Sequence, residues 1–342
     1  MPILNLCLPY SLCSAPDCHK ITGLLRCGGC LVVSYCGPEH QRADRLRHKT
    51  SCGLVKSSRE ALAAAETILR GHRDDMTPGD PFETLPGQFW TFRVTRPYMQ
   101  ARHDLATSQL NLRTGEATEA ALGHFLDMLR LSRGDNMGVR HQIPGLYLRL
   151  GRDQEAYDFM MWYSGAERSK YNWHDVDQPF LDLKGADALE PFDSSGILVD
   201  LSFLAAMTLL KIRLMLDLVD MDKAVKSLGD KAPQDRMELV KEHARGDILL
   251  WRKDIVDRAD YKDPISDLRK QVRDMYAMVD DANEYFWPAL VNPAPYANAM
   301  PTGYSRGSRE EIFLKFRYSW YSWAETPGAL ELIRSGELKA SK

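Results

Sequence analysis

All seven cysteines of this 342-residue chain lie between positions 7 and 52, and none follows. A secreted chain stapled by disulfides spreads its cysteines through its domains. Here Cys13 to Cys52 are interleaved with His40 and His48, which points to metal in a reducing compartment. The opening run "MPILNLCLPYSLC" has no basic leader and is broken by proline, so it does not read as a secretory signal. The expected setting is intracellular, in cytoplasm or nucleus. Cys7 has no suitably spaced partner and reads as a small buried residue.

The candidate ligands in order are Cys13, Cys18, Cys27, Cys30, Cys36, His40, His48 and Cys52. Four, eight, two, five, three, seven and three residues separate successive ligands. Zinc takes four tetrahedral thiolate or imidazole ligands, and a site closed by four protein ligands is structural rather than catalytic. Eight donors make two such sites. Each short gap (Cys13/Cys18, Cys27/Cys30, Cys36/His40, His48/Cys52) lets one turn of chain offer two ligands to one ion. Spacing alone leaves open whether these pairs combine in sequence or alternately. The stretch "SYCGPEHQRADRLRHKTSC" read by itself would be one site of Cys36, His40, His48 and Cys52.

Tyr35–Cys36, His40–Gln41, His48–Lys49 and the closing Cys52, behind two cysteine pairs, make residues 13–52 resemble a MYND-type zinc finger. The resemblance implies a cross-brace with two zinc ions. One ion would take Cys13, Cys18, Cys36 and His40, and the other Cys27, Cys30, His48 and Cys52. Three departures stand out. Four residues separate Cys13 from Cys18 where two are usual, and His40 replaces a cysteine. Fingers of this type also bind proline-rich peptides through a serine, a glutamine and a tryptophan, and the matching positions here are Gly37, Gln41 and Arg45. The resemblance therefore implies a protein or peptide partner, with the proline-rich class weakened by loss of the apolar platform. Arg42, Arg45, Arg47 and Lys49 make the last helix of the module basic. That face is expected to be solvated and to balance the zinc-bound thiolates.

Beyond the module the chain reads as mainly α. "SSREALAAAETILRGH" predicts a helix capped by Ser57 or Ser58. Residues 53–94 are expected to be that helix and a linker, the proline-rich 76–89. An all-α domain is expected over 95–338. Within it, "YMQARHDLATSQLNL", "ATEAALGHFLDMLRL", "MGVRHQIPGLYLRLGR" and "DQEAYDFMMWY" predict two helical hairpins. Ala120, Ala121, Phe125, Met128 and Leu129 should share one face. Glu119–Ala120 recurs as Glu155–Ala156, thirty-six residues on, so 95–165 reads as tetratricopeptide-like or, alternatively, as part of an ordinary helical bundle. Further helices are expected over 197–226, 235–258, 264–278 and 309–325, with 285–308 irregular. Phe316, Trp320 and Trp323 should pack into the core on one face of the last. From about Phe82 to Leu338, "RGDNMGVR…LRLGRDQEAYDF" and "YFWPALVNP…GSREE" resemble fungal proteins that carry such a finger, which implies domain order and no particular chemistry.

Net charge is −3, too small to draw the whole molecule to nucleic acid. The longest apolar run, 197–219, holds Asp200, Lys211, Arg213 and Asp217, which argues against a membrane span. MYND-type fingers also occur in SET-domain methyltransferases, but the donor-binding Asn-His-Ser-Cys-like stretch is absent. There is no phosphate-binding glycine-rich loop, no G-x-S-x-G, and no cysteine nucleophile in the body. His103, His124, His141, His174 and His243 are scattered. The expectation is a zinc-binding interaction protein without catalytic residues, an adaptor or scaffold. The alternative is an enzyme with a pocket in the helical domain, lined from "RGDNMGVR" and "GRDQE", with the finger recruiting substrate. In the simpler reading of those stretches, Asp135 and Asn136 cap a helix.

Overall fold

The structure is a computed structural model and describes residues 12–75, 79–192, 200–229, 236–296 and 301–339. Cys7 lies outside them. Two short strands, β1 (Leu25–Arg26) and β2 (Ser34–Tyr35), pair antiparallel with Leu25 opposite Tyr35. The helices are α1 (Pro38–Ala43), α2 (Arg45–Gly71), α3 (Pro81–Thr84), α4 (Arg96–Leu110), α5 (Gly115–Leu131), α6 (Ile143–Arg149) and α7 (Asp153–Arg168). They continue with α8 (Leu201–Leu228), α9 (Met237–His243), α10 (Lys253–Val256), α11 (Lys262–Ala282), α12 (Phe286–Val291), α13 (Arg309–Ala324) and α14 (Ala329–Ser335). The chain is thus mainly α behind a small Cys/His module, as the sequence predicts. Contacts divide it into two compact units. One runs to Ile143 and includes Asn172–Phe180, and the other comprises Pro144–Tyr171 and Leu181 onward.

In the N-terminal unit α2 packs on α4, and α4 on α5. The expected cap at Ser57 or Ser58 does not form. Helix α2 starts at Arg45 and runs through both serines, because His48, Cys52 and Val55 all lie on its buried side. The residue-52 boundary therefore falls inside a continuous helix. Pro97 sits in the first turn of α4, where its missing N–H costs nothing. Thr114 caps α5 by accepting from the Ala117 amide at 3.1 Å. Ala121, Phe125, Met128 and Leu129 are buried on α5 as expected, with Ala120 half-buried beside them. After α5 the Asp135 carboxylate accepts from the Val139 and Arg140 amides at 2.9 and 3.0 Å, capping a short 3-10 turn. The space lined by Asp135, Asn136, Met99, Met128 and Trp90 is only about 10 Å³.

In the C-terminal unit α8 is central and packs against α7, α9, α11, α13 and α14. The first three residues of the helix expected over 197–226, 197–199, lie outside the described residues. The four charges in this apolar run all find partners. Asp200 caps the helix and accepts from Lys315 at 2.6 Å. Lys211 donates to the carbonyls of Ala188 and Glu190, both at 2.6 Å. Arg213 donates to Asp153 at 2.7 Å, and Arg245 to Asp217 at 2.9 Å.

The single helix expected over 235–258 is broken into α9, a 3-10 turn at Ile248–Trp251 and α10. Arg245 must reach Asp217, and Gly246 lies against Asp153, where a Cβ would come within 2.3 Å of the carboxylate. Part of the segment expected to be irregular is helix α12, because Phe286, Trp287, Ala289 and Leu290 are buried there. Trp287 stacks on Tyr276 with centroids 4.4 Å apart. Trp323 and Phe316 are core residues, with Trp320 stacked on Phe316 at 5.2 Å.

The four helices of the expected repeat are divided between the two units. Pair α4–α5 belongs to the first unit, whereas α6 (from Pro144) and α7 belong to the second. Pro144 opens a seven-residue α6 rather than interrupting a longer helix. The close approach here uses Gly145, whose Cβ would lie 2.7 Å from the Tyr318 carbonyl oxygen. Gly145→Ala is expected to destabilise this unit by about 1–3 kcal/mol, because backbone rather than a side chain must yield. An unchanged thermal midpoint would contradict this contact.

Candidate metal centre

Four local structures bring the eight donors together. Cys13 and Cys18 close a loop in which the Cys13 amide donates to Lys20 and the Cys18 amide to Ala15. Asp17 adopts φ 59° in that loop, which absorbs the extra residues of the four-residue gap. Cys27 and Cys30 flank a tight knuckle after β1, with the Leu31 amide donating to the Cys27 carbonyl at 2.9 Å. Gly29 is required there, since a Cβ would lie 2.5 Å from Cys52 Sγ. Cys36 follows β2, and His40 is presented from α1, which Pro38 opens. His48 and Cys52 are four residues apart on α2 and so share one helix face.

The donors converge as two separate sets. Cys13, Cys18, Cys36 and His40 form one, and Cys27, Cys30, His48 and Cys52 the other, with ligand atoms of each set within 4.8 Å of one another. In the first set Cys18 Sγ lies 3.8 Å from Cys36 Sγ, while His40 Nδ1 lies 3.3 and 3.2 Å from Cys13 and Cys36. In the second, Cys27 Sγ is 3.7 Å from Cys52 Sγ, and His48 Nε2 is 3.4 and 3.6 Å from Cys27 and Cys30. A tetrahedron around zinc, with bonds of about 2.3 Å to sulfur and about 2.0 Å to nitrogen, has edges of about 3.8 Å (S to S) and about 3.5 Å (S to N). The observed separations are close to those edges. A disulfide would need about 2.0 Å, and the six cysteines are free.

Electrostatics point the same way. Burial, reinforced by the nearby sulfurs of Cys27 and Cys52, pushes the Cys30 thiol up to about 12. Against the upward push of burial, the amides of Cys36 and Ala15 and the His40 ring bring Cys13 down to about 6. A zinc ion among these sulfurs, gathered within 4.8 Å of one another, would favour their thiolate forms and offset the repulsion between them. Residues 12–52 match the family model of the MYND finger. The two Cys3His sets of this finger are compatible with two zinc ions, paired as the cross-brace requires. No curated protein and no solved structure matches the chain.

Around the MYND finger a second layer fixes the ligands. Tyr35 donates to Asp44 at 2.7 Å, and its ring meets the His48 ring edge-on at 6.0 Å. Arg47 donates to the other Asp44 oxygen at 2.6 Å and to the Ser14 carbonyl at 2.7 Å, tying α2 to the first cysteine loop. Gly37 and Gln41 are half-buried and Arg45 is exposed. His19 is exposed and belongs to neither set.

Sequence reasoning missed how the finger is anchored. Its core is continuous with Val55, Leu105 and Ala117. Thr114 donates to the Val32 carbonyl at 2.8 Å, and Ser34 donates to the Glu116 carboxylate at 2.9 Å. The α4–α5 turn thus grips β2. The two sides enclose a crevice of about 540 Å³ lined by Val33, Asp44, Arg47, Leu112, Arg113 and Glu116 among others. No helix among the described residues is long and apolar enough to cross a membrane.

Proposed function

We propose that the chain is an adaptor or scaffold whose MYND finger and helical body are contact surfaces, with zinc holding structure rather than doing chemistry. The observation that carries this reading is the closure of both donor sets. Each supplies four protein ligands, which leaves no coordination position for a substrate or an activated water. About forty residues cannot build a sufficient apolar core, and metal ligation substitutes for it. MYND fingers mediate protein–protein contacts, which gives the exposed outer face of the finger its expected role. The enzyme alternative would need a deep polar pocket lined from "RGDNMGVR" and "GRDQE". The space beside Asp135 and Asn136, in the first of these stretches, is about 10 Å³.

Affinity capture tests the reading, with the wild-type chain compared against Cys36→Ser. Partners held through the finger should be lost with the variant, while those held by the C-terminal unit remain. Identical partner sets would show that the finger is no contact surface.

A further inference from the structure

The first half of α2 turns one face to solvent that nothing among the described residues covers. Leu46 is 94% exposed, the most of any large apolar side chain among the described residues, and Leu54 is 53% exposed. Leu46, Thr50 and Leu54 descend the helix in steps of four, forming one row. Beside it Arg45, Lys49 and Lys56 descend in steps of four and seven, forming a basic row. Arg45 and Lys49 are exposed and have no ion-pair or hydrogen-bond partner among the described residues. Lys56 reaches only Glu60, at 3.8 Å.

Arg45, the first residue of α2, also sits where a helix disfavours a cation. The N-terminal end of a helix carries partial positive charge and attracts anions, yet the first turn of α2 has no acidic residue. Asp44, just before it, is engaged by Tyr35 and Arg47. Among the described residues no carboxylate pairs with Arg45 or Lys49, which lie next to an exposed leucine row.

We propose that this face docks an acidic amphipathic peptide. Its carboxylates would meet Arg45, Lys49 and Lys56 while its apolar side chains cover Leu46 and Leu54. The inference rests on the interaction reading above and names the partner class for one surface of the finger. The leucine row favours a peptide over a nucleic acid, whose phosphates would have no use for Leu46.

The test is fluorescence anisotropy on the zinc-loaded full chain. The probe is a labelled synthetic peptide of repeated Glu-Glu-Leu-Leu, with a counterpart carrying glutamine for glutamate and a DNA duplex of equal charge. The acidic peptide should bind, weakening as salt rises. Leu46→Ser and Lys49→Glu should each weaken it about tenfold. Both positions are exposed, so helical signal and zinc content should match wild type. Absence of binding, equal binding of the glutamine counterpart, tighter binding of the duplex, or wild-type affinity in either variant would overturn the proposal. If it fails while partner capture still depends on Cys36, the interaction reading stands and only this face is removed from it.

Discussion

Chelation of zinc is expected to melt the N-terminal unit while the C-terminal unit stays folded. Ligation in small zinc modules is associated with about 10–16 kcal/mol of apparent binding free energy. A whole domain is stable by only about 5–15 kcal/mol, so loss of two ions outweighs what the rest of the unit supplies. The loss also has a path. His48 and Cys52 lie on α2, the helix that packs against α4. The sulfur-lined core is the one that contains Val55, Leu105 and Ala117. Calorimetry with and without a strong chelator should show one transition abolished and one unmoved. A boundary after Cys52 would instead confine the loss to residues 13–52 and spare the helical signal of α4 and α5. Loss of both transitions would contradict the division of the chain near residue 143.

Arg213→Met is expected to destabilise the C-terminal unit by about 3–5 kcal/mol, the usual result of stranding one partner of a buried ion pair. Arg213 and Asp153 are both buried and 2.7 Å apart. Arg213 also donates to Thr326 at 3.0 Å and to the Arg245 carbonyl, so one guanidinium joins α7, α8 and two turns. The second oxygen of Asp153 has no hydrogen-bond partner among the described residues, so the carboxylate depends on Arg213. Pairing Arg213→Met with Asp153→Leu should recover much of the loss, because the stranded charge is then gone.

The loss should also vary with pH. Burial pushes Asp153 up to about 6 even with Arg213 present. A carboxyl raised in the folded state favours folding below its unfolded value, and that contribution fades as pH rises through the folded value. Removing Arg213 moves that window upward. The deficit of the variant should therefore be largest at neutral pH and shrink toward pH 5. A deficit independent of pH, or a double variant no better than the single one, would contradict this account of the pair.

The metal centre was legible because its signal is local. Each ligand pair spans at most four intervening residues, and only thiolates and imidazoles with such spacing present themselves to one ion. The pairing between pairs was not in the spacing, and it came from the resemblance carried by Tyr35–Cys36, Gln41 and Cys52. Helix α5, with apolar residues at helical spacing, and α8 and α13, as long apolar and aromatic stretches, were also readable. What escaped depends on distant partners. Where the periodic stretch breaks, Gly246 meets Asp153, far away in sequence, which leaves no room for a side chain there. Helix α2 overrides two good cap residues because its N-terminal turn carries metal ligands. The grip of Thr114 and Glu116 on β2 joins residues eighty-two apart, and no periodicity announces it.

The central claim is that alternate pairs, not successive ones, share an ion. Cadmium-substituted protein, with cadmium-113 resonances correlated to cysteine β-protons, tests it most directly. Two cadmium resonances are predicted. One should correlate with Cys13, Cys18 and Cys36, and the other with Cys27, Cys30 and Cys52. A resonance correlated with both Cys13 and Cys27, or a single cadmium per chain, would contradict the cross-brace.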